Sequence, residues 1–72
     1  MDPRIFTRNV VVWSSDATRL CRFKPGERVK NIQRIGKGVF FEPADPTRIV
    51  ATYTMDWDEF LASTSAVREA GA

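Results

Sequence analysis

The sequence contains no histidine and a single cysteine, Cys21. Without histidine the chain lacks both the commonest general acid–base group and the imidazole ligands of a mixed zinc site, and one thiol cannot close an internal disulfide. A lone cysteine fits a reducing compartment, so the expected location is cytoplasmic. There is no Gly-x-Ser-x-Gly turn, and a nucleophilic serine or cysteine would have no histidine base beside it. Gly36-Lys37-Gly38 is too short for a phosphate-binding loop and reads as a turn. No apolar run approaches the roughly 18 residues of a membrane span, and Met1-Asp2-Pro3-Arg4 does not resemble a signal peptide. These absences argue against an enzyme, a cofactor, a metal ion, a small-molecule substrate and a membrane as partner.

At 72 residues, 43% of them apolar, the sequence has room for one small domain. A domain of this size buries only about 60% of its unfolded-chain surface, so nearly every apolar side chain is needed in one core. Charge is unevenly spread although the net value is only +2. Residues 19–37 carry Arg19, Arg22, Lys24, Arg28, Lys30, Arg34 and Lys37 against Glu27 alone, whereas the rest of the chain beyond them is acidic. Such a run either solvates its own face beside the acidic segment or presents a basic surface to phosphate or to an acidic partner.

Asn9–Trp13 is β-branched and aromatic and reads as a strand, its continuous apolar character suggesting that both faces are covered. Thr18–Phe23 reads as a second strand, followed by the turn Lys24-Pro25-Gly26-Glu27. In Arg28–Ile35 the apolar residues recur every third position, at Val29, Ile32 and Ile35, which predicts a strand with a bulge. Val39–Glu42 is a short strand ended by Pro43, and Arg48–Thr54 is a further strand with Ile49, Ala51 and Tyr53 on one face. The period then changes. Asp56 and Glu59 have the spacing of a capping box, Met55 and Phe60 that of a hydrophobic staple, and Trp57, Phe60, Leu61, Thr64 and Val67 form one helical stripe. A helix over about 56–69 is predicted, with residues 1–6 and 69–72 loose.

Strands followed by one helix, joined by short loops, suit a mainly β fold. The expected architecture is a small antiparallel sheet, or a partly open SH3-like barrel, of four or five strands with the C-terminal helix packed on it. Both tryptophans are expected in the core, Trp57 especially, although Trp13 is also a candidate contact anchor. Phe40 and Phe41 are candidates for the same reason: successive strand residues face opposite ways, so one of them must leave the core. Cys21 is either a thiolate favoured by Arg19 and Arg22 or a small core residue.

Glu42-Pro43-Ala44-Asp45-Pro46 followed by Ala51–Leu61, together with Trp13-Ser14-Ser15 and Cys21, resembles the BldB-like family of short actinobacterial regulatory proteins. The shared features are an Asp-Pro turn, an aromatic-Thr pair ending a strand, and a Trp-x-x-Phe-Leu helix. Lys24–Ile35 departs from the family in being longer and more basic. The resemblance implies a small non-enzymatic regulatory protein acting beside a helix-turn-helix DNA-binding partner.

The leading expectation is therefore a regulatory or accessory protein that binds another protein or itself through Trp13, Phe40 and Phe41. The alternative is nucleic-acid binding, or binding of an acidic partner, by a basic 19–37 hairpin. There Arg22, Lys24, Arg28, Lys30, Arg34 and Lys37 would contact phosphates while Phe23 or Phe40 stacked on bases. A third reading is a structural subunit of a larger assembly such as a viral particle.

Overall fold

The computed structural model describes residues 3–48 and 51–67. Seven strands and one helix follow in chain order: β1 Arg4–Phe6, β2 Val10–Ser14, β3 Leu20–Phe23, β4 Arg28–Ile35, β5 Gly38–Pro43, β6 Tyr53–Asp56, α1 Trp57–Ser63 and β7 Thr64–Ala66. All pairings are antiparallel, in the order β3-β2-β6-β5-β4-β1-β7, and the sheet curls into a half-barrel with α1 packed on it. The mainly β fold with one packed helix is as expected. The strand count is seven rather than four or five.

The curl follows from chain connectivity. In sheet order β3 and β4 stand four positions apart, which on a flat sheet is about 19 Å at roughly 4.8 Å per strand. The link Lys24–Glu27 could reach about 17 Å fully stretched, and it is bent, with the Glu27 N–H bonded to the Lys24 carbonyl at 3.2 Å. A flat sheet is therefore excluded. The same turn is tied to β1, since the Gly26 N–H donates to the Phe6 carbonyl and the Phe6 N–H to the Glu27 carbonyl.

The inner face holds the core: Phe6, Val10, Val12, Phe23, Val29, Ile32, Val39, Phe41, Tyr53 and Phe60. Five of these are aromatic and interlock, with Phe6 stacked on Phe23 at 5.1 Å and Phe41 on Phe60 at 5.4 Å, and Tyr53 edge-on to Phe23 at 5.5 Å. Such pairs each add about 0.5–1.5 kcal/mol beyond burial, which matters in a chain with so little interior.

Several expectations require correction. β2 alternates between buried and exposed residues, so its apolar run is not covered on both faces. Residues 4–6 are not loose: β1 lies between β4 and β7, Phe6 is buried, and Arg4 donates from Nε to Thr64 Oγ1 at 2.7 Å. Three residues give too short an alternation to read as a strand.

The helix also ends earlier than its stripe suggests. Ser63-Thr64-Ser65 has weak helix propensity, the Thr64 hydroxyl donates back to the Phe60 carbonyl at 2.7 Å, and Thr64 turns extended to pair with Phe6. Asp56 caps the helix through the Asp58 N–H, and among the described residues no return bond from Glu59 completes a capping box.

The strand expected over 48–54 begins at Tyr53. Ile49 and Val50 lie outside the described residues, as do residues 69–72. Among the described residues no helix is long and apolar enough to cross a membrane.

Candidate protein-contact face

The outer face of the sheet is set by the same alternation that buries Val10, Val12 and Phe23. Opposite parity turns Val11 and Trp13 of β2 and Leu20 and Arg22 of β3 outward, and the register places Trp13 against Leu20 and Val11 against Arg22. Trp13 also faces Thr54 of β6, which faces Phe40 of β5, so Leu20, Trp13, Thr54 and Phe40 form one row across four strands. Val11 is 59% exposed, Leu20 56% and Trp13 49%. Trp13 thus belongs to the surface, contrary to its expected place in the core, while Trp57 is half-buried and packs on Phe60 at 6.0 Å.

The parity argument for Phe40 and Phe41 resolves in one direction. Phe41 is fully buried among Phe6, Phe23 and Phe60 and cannot contact a partner, whereas Phe40 is half-buried on the outer row. Phe41 faces inward because it lies opposite Tyr53, and Phe40 lies opposite Thr54. Phe23 is likewise buried and cannot stack on a base.

The basic segment does not form a hairpin. β3 ends one side of the sheet order and pairs with β2, while β4 pairs with β5 and β1. Arg22 and Lys24 lie at one end of β4 and Lys37 at the other, separated by eight residues of strand, about 26 Å. Arg28 and Lys30 are exposed on the outer face of β4, Lys30 opposite Glu42. Arg34 is used locally, its guanidinium 5.0 Å from the Trp57 ring centre and its Nε donating to the Gly36 carbonyl at 3.1 Å.

Comparison with protein-family models, curated proteins and solved structures finds no match to this chain. The contact face is therefore read from its own chemistry.

Arg48, which carried no signal in the sequence beyond its charge, closes the side of the half-barrel between β3 and the β3–β4 turn. Its guanidinium forms a salt bridge with Glu27 at 2.6 Å, donates to the Arg22 carbonyl at 2.7 Å and to Cys21 Sγ at 3.0 Å, and lies 4.7 Å from the centre of the Phe23 ring. The Glu27 hydrogen bond is the main cause holding the Arg48 pKa above its usual value. Burial, and then the Cys21 thiol, push the Tyr53 phenol up. Cys21 is a half-buried residue packed against the core beside Arg48, rather than a thiol placed between Arg19 and Arg22.

Shallow hollows flank the Ala44-Asp45-Pro46 loop, lined by Gly26, Glu27 and Arg28 on one side and Lys30 and Glu42 on the other. Glu27 is already engaged by Arg48. Among the described residues no group of three or more His, Cys, Asp or Glu is arranged to hold a metal.

Proposed function

We propose that this protein is a small non-enzymatic regulatory or accessory module that works by protein–protein contact through the outer face of β2 and β3. The observation that carries this reading is the registered row Leu20–Trp13–Thr54–Phe40, with Val11 beside it, on a face where the largest aromatic side chain of the chain stands half in solvent. A small domain short of interior gains stability by burying such residues, at about 25 cal/mol per Å² of apolar surface. Exposed together, Val11, Trp13 and Leu20 present on the order of 300 Å² of apolar surface, comparable to the largest apolar patch on a typical monomer, which is often functional. Tryptophan is the residue most enriched at interface hot spots, and the neighbouring Arg22 suits the rim.

The implied helix-turn-helix DNA-binding partner and a second copy of the chain are both occupants of this kind. Direct nucleic-acid binding has less support: of the two stacking candidates Phe23 is buried, Arg34 is engaged with Trp57, and Arg22 and Lys24 are separated from Lys37 by the length of β4.

The test is affinity capture with the immobilised full chain from the cells that produce it. Trp13→Ser should weaken the captured interaction about thirty-fold, as loss of a tryptophan anchor does. The triple charge reversal Arg28→Glu, Lys30→Glu and Arg34→Glu should leave it in place with a slower on-rate. Capture that survives Trp13→Ser and is abolished by the charge reversal would overturn the proposal. Light scattering with nonspecific duplex DNA addresses the nucleic-acid reading, which requires a rise in mass at low salt that vanishes at moderate salt.

A further inference from the structure

We draw no further inference here: the strongest candidate, the exposed Val11, Trp13 and Leu20 patch on the outer face of β2 and β3, belongs to the contact face already described, and nothing in the structure shows what covers it.

Discussion

Asp16 has its pKa lowered to about 2 without any ion pair, first by the Ser14 hydroxyl and then by the hydroxyl and N–H of Thr18. The network holds the β2–β3 turn, where Ala17 takes a φ of 59°, a conformation that costs a non-glycine residue energy. A carboxylate whose pKa is depressed on folding stabilises the fold above its unfolded value of 3.8 and loses that contribution as pH falls toward about 2. Asp16→Asn is therefore expected to lower the thermal midpoint at pH 7, and the gap from the wild type should close between pH 3.8 and 2 in circular-dichroism melts. A gap that stays constant across this range would show that ionised Asp16 adds nothing. At this scale the sequence was partly legible: Ser14-Ser15-Asp16 announced a turn, but the buried Ser14 hydroxyl at its centre is visible only in three dimensions.

Among the elements, β4 best shows what a local pattern can reveal. Apolar residues spaced by three are incompatible with a regular strand whose Val29 and Ile32 both face inward, and the register does shift between Lys30 and Gln33. The shift passes through Asn31, at a φ of 51°. Asparagine tolerates this left-handed region better than other non-glycine residues, so Asn31→Ala should cost about 1 kcal/mol while Asn31→Gly stays close to the wild type. Urea denaturation measures both, and an alanine variant of undiminished stability would remove strain at Asn31 as a constraint on the bulge. The start of α1 was equally legible because Asp56 is a local signal. Its end was not, since Thr64 leaves the helix to pair with Phe6, a residue far away in the chain.

For the molecule as a whole, Arg48 braces the curl that connectivity imposes. Its guanidinium links Glu27 in the β3–β4 turn to the Arg22 carbonyl on β3 and covers the ring of Phe23. Replacing it with methionine would leave Glu27, partly shielded from solvent, without its counter-charge and the Arg22 carbonyl without its donor. The expected loss is about 2 kcal/mol, between the values for exposed and buried pairs. Arg48→Lys should recover little of it, because an ammonium cannot reproduce the planar fork. Denaturant midpoints of the two variants check this, and a lysine variant as stable as the wild type would reduce Arg48 to a simple charge. On a total that is typically about 4–10 kcal/mol for a chain of this size, such a loss is substantial.

Sequence alone determined the features governed by backbone period and local chemistry: the positions of most strands, the bulge in Arg28–Ile35, the cap at Asp56, and the requirement that Phe40 and Phe41 face opposite ways. These are legible because side-chain alternation, positive φ and helix capping act within a few residues. Tertiary structure decided which of the two phenylalanines is buried, that Trp13 is exposed, that β1 and β7 exist, and that β3 and β4 lie apart in the sheet so that the basic segment is no hairpin. Those outcomes depend on which strands become neighbours and in what register, and residues distant in the chain settle that jointly.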